Sequence, residues 1–482
     1  MKKTLAIMVA LIIVTASIGW SFRVEILLGV IEYRFSSIEV SEPRDIPWKQ
    51  GPSASTTTSL ERPPNIILIV ADDLGYNDIS TFGGGIVQTP SIDRLAKEGA
   101  VFNQSYSGAS TCAPSRAMMM TGRYPTRTGF EFTPTPAGMG KAVSLISGGM
   151  DNNRPPSFYD EAMEANQPPY ELKGLLPEEI TIAETLKDSG YYTAHIGKWH
   201  LGNDNGMAPH EQGFDDSLLM TSGLYLPEDD LNVVNAKIPF DPIDKFLWKA
   251  MTYSNSFNSG DDDRFKPKGY LTDYWTDESI NVIKANKNRP FFLYLAHWGP
   301  HTPLQATRED YDAVGDIQPH RKRVYAAMIR AIDRSVGRVL DTLDQEGLAD
   351  NTLVMFTSDN GGAGYIGIPE VNQPFRGWKI TMFEGGLRVP MMIKWPSKIT
   401  AGTVVDTPVA HIDVMPTLAA AAATQSKAAE IDGVNLLPLV TRQGDQSWDR
   451  ETLFWQNGHY QVVRHGDWKL QVNDRPTDGL QY

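Results

Sequence analysis

Residues 65–71 (NIILIVA), followed at once by Asp72 and Asp73, form the stretch of sequence that decides the fold. The run is almost entirely apolar and rich in β-branched side chains, which predicts a strand buried on both faces, as in a parallel sheet. The two aspartates come where this strand ends. In open α/β sheets the ligand site lies beyond the carboxyl ends of the strands, so Asp72 and Asp73 are candidate site residues.

The same order, a buried strand and then polar residues, recurs along the chain. Further strands are predicted over residues 191–196, 291–296 and 353–357. The polar residues that follow them are Lys198 and His200, then His301, then Asp359 and Asn360. Helices are predicted over residues 89–99, 181–189 and 321–346. This alternation predicts an α/β fold, with a large, mainly parallel or mixed sheet sandwiched by helices and a site where the four strand ends converge.

The last part of the chain has a different pattern. A strand over 391–395 and a helix over 412–421 continue the α/β alternation, whereas residues 451–472 contain three short apolar runs separated by turn residues. This pattern predicts a small C-terminal antiparallel sheet. The chain stops soon afterwards, at Tyr482, and we expect this subdomain to be truncated.

The composition limits the class of protein. The 482 residues are 41% hydrophobic, enough for a sizeable core, and carry a net charge of −14 without any basic stripe. Nucleic-acid binding is therefore not expected. Residues 132–175 and 226–273 are acidic, which disfavours long polyanionic substrates.

The N-terminus predicts export. Lys2 and Lys3 precede an apolar run, so residues 1–23 are a signal peptide or an N-terminal membrane anchor. A linker is predicted over 24–64, which is rich in Pro, Ser and Thr from about residue 41, whereas its apolar residues 24–33 are an extension of the anchor or a membrane-surface segment. A catalytic domain is predicted over 65–445 and the partial antiparallel subdomain over 446–482. The chain is expected in the periplasm, in the secreted fraction or anchored to a membrane.

Two segments, residues 132–175 and 226–273, lack clear periodicity. Long irregular segments in a compact domain are usually functional loops, so both are predicted to rim the site.

Four oxygen-bearing residues at two strand ends predict a metal site. Asp72, Asp73, Asp359 and Asn360 would be costly to bury together without a cation. An all-oxygen set favours Ca²⁺ or Mg²⁺ over zinc.

A second set of residues suits an oxyanion. Arg116, Lys198 and Lys379 can bind a tetrahedral anion through charge-assisted hydrogen bonds, and His200 and His301 can transfer protons near neutral pH. Each of these residues has an ordinary structural explanation when taken alone.

Cys112 is the only cysteine in the chain, so it has no partner for a disulfide. Pro114 favours a helix that begins near it. A lone thiol in an exported protein is either a small buried apolar residue or a functional group.

The motifs around these residues resemble those of one family. The segment 112–116 (CAPSR) with 121–123 (TGR), and the segment 190–200 (GYYTAHIGKWH), resemble the two signatures of the type I sulfatases of the alkaline phosphatase superfamily. Residues 372–379 (NQPFRGWK) and 383–390 (FEGGLRVP) are most similar to the arylsulfatase type. The likeness runs from about residue 64 to the C-terminus.

The resemblance implies a mechanism. A formylglycine-generating enzyme would oxidise Cys112 to formylglycine, whose hydrated form attacks sulfur. Residue 112 would join Asp72, Asp73, Asp359 and Asn360 in holding Ca²⁺, with Mg²⁺ as the alternative. The remaining roles it implies are diol orientation by Arg116, sulfate binding by Lys198 and Lys379, leaving-group protonation by His301 or Lys379, and proton removal by His200.

Alternatives remain open at this point. His297 lies on the same strand end as His301 and is the second choice for that role. The expected activity is hydrolysis of small aryl or lightly sulfated sugar esters. The alternatives are a phosphodiesterase or phosphonate monoester hydrolase of the same superfamily, and a metal-stabilised binding module in which Cys112 is never converted.

Overall fold

The structure is a computed structural model that describes residues 2–55, 58–136, 138–150, 159–428, 430–441 and 450–473. Its strands are β1 Asn65–Ala71, β2 Ala100–Phe102, β3 Ser105–Tyr106, β4 Tyr192–Gly197, β5 Asp216–Gly223, β6 Val233–Ala236, β7 Tyr253–Phe257, β8 Phe291–Ala296, β9 Leu304–Thr307, β10 Thr352–Ser358, β11 Met391–Lys394, β12 Thr403–Val405, β13 Val409–Ala410, β14 Thr452–Asn457, β15 Tyr460–His465 and β16 Trp468–Asn473.

The α-helices of the same described residues alternate with these strands over most of the chain. They are α1 Lys2–Ser21, α2 Arg23–Ser36, α3 Pro90–Glu98, α4 Cys112–Thr121, α5 Pro125–Thr128, α6 Met139–Gly148, α7 Glu161–Ala165, α8 Ile182–Asp188, α9 Pro242–Ala250, α10 Leu271–Asn286, α11 Arg308–Ala313, α12 His320–Gln345, α13 Glu384–Leu387, α14 Val414–Ala421 and α15 Leu437–Val440.

A nine-stranded mixed sheet forms the centre, in the order β12-β2-β11-β10-β1-β8-β4-β5-β7. Its five central strands, β10 to β5, are all parallel, and antiparallel pairs occur on either side of them. The predicted mixed, mainly parallel sheet is confirmed. Every residue of β1 is buried, because β1 lies in the middle of this block.

Alternate side chains of β1 enter two cores, one on each face of the sheet. Ile67 and Ile69 pack in the core that includes α10 and α12. Ile66 and Leu68 pack in the core that includes α4, α8 and α14. Helices therefore cover both faces, as the sequence predicts.

The C-terminal strands β14, β15 and β16 form a separate antiparallel sheet, again as predicted. Trp455 anchors it, because its indole N–H donates to the Ser107 carbonyl at 2.8 Å. The predicted boundary at 445/446 and the end of the chain at Tyr482 lie outside the described residues.

The predicted linker over residues 24–64 is not a plain tether. Its first third is helix α2, whose Ile31 is buried against α6 and α9. Further on, the buried Trp48 donates its indole N–H to Glu278 at 2.7 Å. Apolar side chains are sparse only in the Pro/Ser/Thr-rich part after residue 41, where the buried Trp48 docks the chain.

The prediction of irregular structure over residues 132–175 and 226–273 was wrong in part. The described portion of the first contains α6 and α7, and the second contains β6, α9 and β7. Strand β6 pairs with β9, which begins three residues after His301, so this part of the second segment lies beside a strand end that carries a predicted site residue.

Candidate active site

The site lies where four parallel strands end side by side, in the order β10, β1, β8 and β4. Backbone hydrogen bonds continue past the strands and hold these ends in register. The Asp359 N–H donates to the Ala71 carbonyl at 3.0 Å, and the Asp72 N–H donates to the Gly299 carbonyl at 2.9 Å. The predicted convergence is therefore a consequence of parallel pairing.

Three carboxylates and one amide lie together at this edge. Asp72, Asp73 and Asp359 are at most 2% exposed. Asp73 has a φ of 62°, which is rare outside glycine, and its N–H donates to Asp359 Oδ1 at 3.2 Å. Asn360 donates from Nδ2 to Asp73 Oδ1 at 2.7 Å. The predicted oxygen donors from two distant segments thus form one group.

Arg116, on α4, is completely buried and links two of these carboxylates. Its Nε lies 2.9 Å from Asp359 Oδ2, and its Nη2 lies 3.3 Å from Asp72 Oδ2. Its Nη1 donates to the Lys198 carbonyl and to the Tyr294 hydroxyl. Burial lowers the pKa of Arg116, but Asp359 and its neighbours outweigh this and raise it above the ordinary value.

Two lysines neutralise the aspartates that follow β1. Lys198 Nζ lies 2.5 Å from Asp72 Oδ2, and Lys379 Nζ lies 2.8 Å from both oxygens of Asp73. Burial raises the pKa of both aspartates, yet these lysines and other nearby cations hold the pKa values below the ordinary range. Burial likewise opposes the charge of Lys379, but Asp73 raises its pKa well above normal.

These six side chains are called the site cluster, which consists of Asp72, Asp73, Arg116, Lys198, Asp359 and Lys379. Its three carboxylates balance its three cations, so an added divalent cation is best accommodated together with an anion.

Cys112 begins α4 and lies against the site cluster. Its Sγ is 3.4 Å from Asp72 Oδ1 and 3.8 Å from Asp73 Oδ1. Burial, with Asp359 and Asp72, raises the pKa of this thiol well above its usual value. Burial and the nearby carboxylates therefore raise the thiol pKa more than the start of helix α4 can lower it. Cys112 is a protonated thiol and a poor nucleophile.

The two histidines after β8 point to different places. His301 stacks on Trp298 with ring centroids 3.9 Å apart, and its Nε2 lies 3.6 Å from Asp73 Oδ2. His297 instead forms a hydrogen bond through Nε2 with Ser335 on α12, at 2.9 Å. His301 belongs to the site, and His297 belongs to the core beneath it.

The protonation of His301 follows from its contacts. Its Nδ1 donates to the Thr302 carbonyl at 2.6 Å, which leaves Nε2 free to accept a proton on the side of Asp73. Burial and the charge of Lys379 lower the pKa of His301 to about 4. The ring is therefore neutral at neutral pH.

His200 follows β4 with a φ of 65°, a second left-handed residue at the site. Burial and the charges of Lys198 and Arg116 lower its pKa well below the ordinary value. Its Nδ1 is buried and has no hydrogen-bond partner among the described residues. The imidazole is thus neutral and able to accept a proton.

The donor atoms fit a divalent cation. One ligand atom each from Asp72, Asp73, Cys112 and His301 lies within 4.8 Å of the others. Asn360 Oδ1 is buried without a hydrogen-bond partner among the described residues. A buried amide oxygen beside carboxylates suits a hard cation such as Ca²⁺ or Mg²⁺.

His411 is a supporting residue that the sequence did not reveal. The Thr357 hydroxyl donates to the Pro390 carbonyl, so its oxygen accepts the Nε2–H of His411 at 3.1 Å. The His411 Nδ1 then accepts from the Ser115 hydroxyl at 2.9 Å. His411 thereby joins α4, which carries Cys112 and Arg116, to the end of β10. Burial lowers its pKa to about 3, so this tautomer stays neutral.

Two tyrosines were also missed. Tyr294 accepts from Arg116, and the Tyr365 hydroxyl lies 3.3 Å from Asp73 Oδ2. Tyr294 belongs to an apolar strand, and no local pattern distinguishes it from a core residue. All predicted site residues other than His297, the second choice, lie at this strand edge.

The sulfatase family model matches residues 64–424, which include every residue of the site cluster. The chain belongs to the sulfatase family. A second model, described as the C-terminal part of N-sulphoglucosamine sulphohydrolase, matches residues 376–473.

Relatives and solved structures agree with this membership. The N-acetylgalactosamine-6-sulfatase of Canis lupus familiaris is 33% identical over 418 residues, 85% of this chain and 71% of that protein. Human arylsulfatase H is 32% identical over 462 residues, 82% of this chain and 75% of that protein. The crystal structure of Ps i-CgsB has a TM-score of 0.70 and 32% identity, covering 86% of this chain and 85% of the other. This sulfatase is accordingly a sulfuric ester hydrolase with an alkaline phosphatase-like fold.

Proposed function

We propose that this sulfatase hydrolyses carbohydrate or aryl sulfate monoesters with a formylglycine at position 112 and a divalent cation, Ca²⁺ or Mg²⁺. The observation that carries the proposal is the environment of Cys112. The thiol is buried beside carboxylates and has a raised pKa, so it stays protonated and cannot act as a thiolate nucleophile. Conversion to an aldehyde, once hydrated, would give the same residue a nucleophilic hydroxyl.

The cation would be held by Asp72, Asp73, Asp359 and Asn360, together with an oxygen at position 112. When bound, it would supply charge stabilisation to the transferring sulfate group. Formylglycine supplies a hydrated aldehyde whose hydroxyl attacks sulfur and which can later release sulfate by returning to the carbonyl.

The cations of the site cluster position the reacting groups. Arg116 is fixed by Asp359 and Asp72 and lies one helical turn from residue 112, so it can orient that residue. Lys198 and Lys379 are compact point charges that can move from carboxylate to sulfate oxygens over a short distance. Their charges stabilise the negative charge that develops on sulfate.

The proton transfers are assigned to His200, His301 and Lys379. His200 Nδ1 lacks a partner among the described residues, and His200 is proposed to take the proton from the hydroxyl at position 112. His301 or Lys379 is proposed to protonate the leaving alcohol, since both lie beside Asp73 at the same edge. Lys379 is protonated because its pKa is raised, so it can donate a proton directly. Both histidines have a lowered pKa and are neutral, so His200 can act as a base, and His301 must first take up a proton before it can donate one.

Carbohydrate sulfates are favoured over aryl sulfates as natural substrates. Five mammalian relatives, the canine one among them, are named for N-acetylgalactosamine 6-sulfate, and a structure 32% identical with a TM-score of 0.69 is described as a complex with a neocarrahexaose. Human arylsulfatase H, another relative, keeps aryl sulfates as the alternative. The net charge of −14 disfavours densely charged polysaccharides, so lightly sulfated sugars are proposed.

Export and maturation complete the proposal. The N-terminal apolar segment would direct the protein to the periplasm, to the outside or to a membrane. A formylglycine-generating enzyme would be the partner that converts Cys112.

Two measurements test this function on protein from a host with the converting enzyme. Mass spectrometry of the peptide containing residue 112 should show formylglycine, and unmodified thiol alone would support a non-enzymatic binding module. Hydrolysis of an aryl sulfate should exceed that of the matching aryl phosphodiester. The reverse preference would indicate a phosphodiesterase or phosphonate hydrolase. A solved phosphonate monoester hydrolase is similar to this chain in fold alone, with 18% identity and a TM-score of 0.54.

A further inference from the structure

Helices α1 and α2 present apolar surface that the other described residues do not cover. Ten apolar side chains of α1 are between 47% and 71% exposed: Leu5, Ile7, Met8, Val9, Leu11, Ile12, Ile13, Val14, Ile18 and Trp20. Leu11 to Val14 are four consecutive residues and point to all sides of the helix. A partner for α1 must therefore surround it, which a second copy or another folded protein does poorly.

Helix α2 has two apolar faces with different environments. Its inner face packs on α6 and α9 through Ile31, with Leu27 and Leu28 beside it. An ion pair of 2.8 Å between Glu32 and Lys249 of α9 fastens its flank. The helix is therefore part of the folded enzyme.

The outer face of α2 is the second apolar face. Phe22, Ile26, Val30 and Tyr33 recur at helical spacing and are 54% to 77% exposed. Arg23 and Arg34 lie on one side of this stripe by the helical repeat, where long cationic side chains can reach lipid headgroups. We call these four residues the α2 stripe.

The angle between α1 and α2 suits a pair of helices at a membrane surface. Among the described residues no single helix is long and apolar enough to cross a membrane, but α1 and α2 meet that test together and are bent by 69°. A helix inserted in the apolar layer and followed by a bend of this size places the next helix nearly along the membrane surface. The α2 stripe is then continuous with the apolar surface of α1.

We propose that a lipid bilayer is the occupant of this surface, with α1 inserted among the acyl chains and the α2 stripe lying in the interface. Because α2 is docked on α6 and α9, the catalytic domain is held at the membrane in a fixed orientation. This differs from a globular domain on a flexible tether, and it does not depend on what the site hydrolyses.

The test uses the full chain with a fluorophore on single introduced cysteines. Val30→Cys places an environment-sensitive label in the α2 stripe, and Leu231→Cys, at an 88% exposed leucine outside it, is the matched control. The chain without either substitution measures background labelling of the buried Cys112. The proteins are mixed with phosphatidylcholine vesicles with or without nitroxide-bearing lipids.

The expected result is a blue shift of the Val30 label on vesicle binding, with quenching by the nitroxide lipids, and neither change for the Leu231 label. The shift should persist in 1 M salt, since apolar insertion is weakly screened. A Val30 label that stays in water while the protein floats with vesicles would overturn the interfacial placement of α2. Failure to float, with concentration-dependent dimers instead, would identify a second copy as the occupant.

Discussion

Two groups of charged side chains in this enzyme have balanced carboxylates and cations but differ in their surroundings. One is the site cluster. The other joins α10, α11 and α12 and is called the helix network, which consists of Asp273, Asp310, Arg330 and Arg334. Arg334 binds Asp310 at 2.5 and 2.9 Å and Asp273 at 2.8 and 3.0 Å.

The helix network uses arginine forks, and the side chains of Arg330, Arg334 and Asp273 are 29% to 37% exposed to water. The site cluster is almost fully buried, includes two lysines, and adjoins the left-handed backbone of Asp73 and Asn360 Oδ1, which has no hydrogen-bond partner in the part of the chain that the structure describes. Charge density alone therefore does not mark a functional site. What distinguishes the site cluster is the combination of full burial, a left-handed aspartate and an adjoining amide oxygen without a partner.

The largest expected effect separates chemistry from stability inside the site. Cys112→Ser should reduce sulfate ester hydrolysis roughly 10⁴-fold or more, because the converted residue is the nucleophile. The thermal midpoint should stay near that of the unsubstituted protein, since serine is nearly isosteric and can donate to Asp72. Turnover and calorimetry check both parts. Retained turnover would remove position 112 from the mechanism.

Removing one aspartate from each group tests the comparison directly. Asp359→Ala should lose bound metal and activity and cost about 3–5 kcal/mol in unfolding free energy, because Arg116 is left buried with a weaker partner. Asp310→Ala should cost only about 1–3 kcal/mol, since its partners are reached by water.

The measurements are metal content by atomic emission and urea unfolding. The Asp310 variant is the matched control and should keep its metal and its activity per folded molecule. Equal metal loss in both variants would mean that the helix network also supports the cation site.

Substitutions of His411 test whether its hydrogen bonds hold α4 in place beside the site cluster. His411→Ala should lower kcat about tenfold or more, because a partner that orients reactive residues is lost. His411→Asn keeps an acceptor near Ser115, and His411→Gln keeps a donor near Thr357. If the position of α4 is what matters, the Asn variant should recover more activity than the Gln variant at similar stability. Equal recovery would assign His411 a general packing role.

The smallest expected effect concerns His297, the histidine that lies outside the site. Burial lowers its pKa to about 3, so the folded state binds fewer protons than the unfolded state between about pH 3 and 6.5. Stability linked to this group is therefore present above pH 6.5 and is lost as the pH falls.

His297→Gln should reduce the loss of unfolding free energy between pH 6.5 and 5.5 by up to about 1.4 kcal/mol. The difference between the two proteins is the quantity to measure, since Asp78, whose pKa is raised by burial to about 8, contributes with the opposite sign. Parallel pH profiles would show that His297 gains no charge on unfolding.

Much of the site was predictable because it lies directly after buried strands. Asp72, Asp73, Asp359 and Asn360 follow continuous apolar runs that predict buried strands, and parallel pairing then brings those strand ends together. His411 and Tyr294 were not predictable. Their roles depend on contacts between segments distant in sequence, such as the bond from His411 to Ser115.

The sequence by itself determined the α/β alternation, the strand-end residues and the sulfatase motifs around Cys112, because these follow from local apolar periodicity and from short spacings. The resemblance put His301 before His297, and the tertiary structure decided between them. His301 lies beyond the strand in a turn, where side chains do not alternate between two faces as they do in a strand. Its ring is held by stacking on Trp298 and by the hydrogen bond to the Thr302 carbonyl. The tertiary structure likewise decided that residues 23–36 are a docked helix, since docking needs a complementary surface on α6 and α9 that no local pattern encodes.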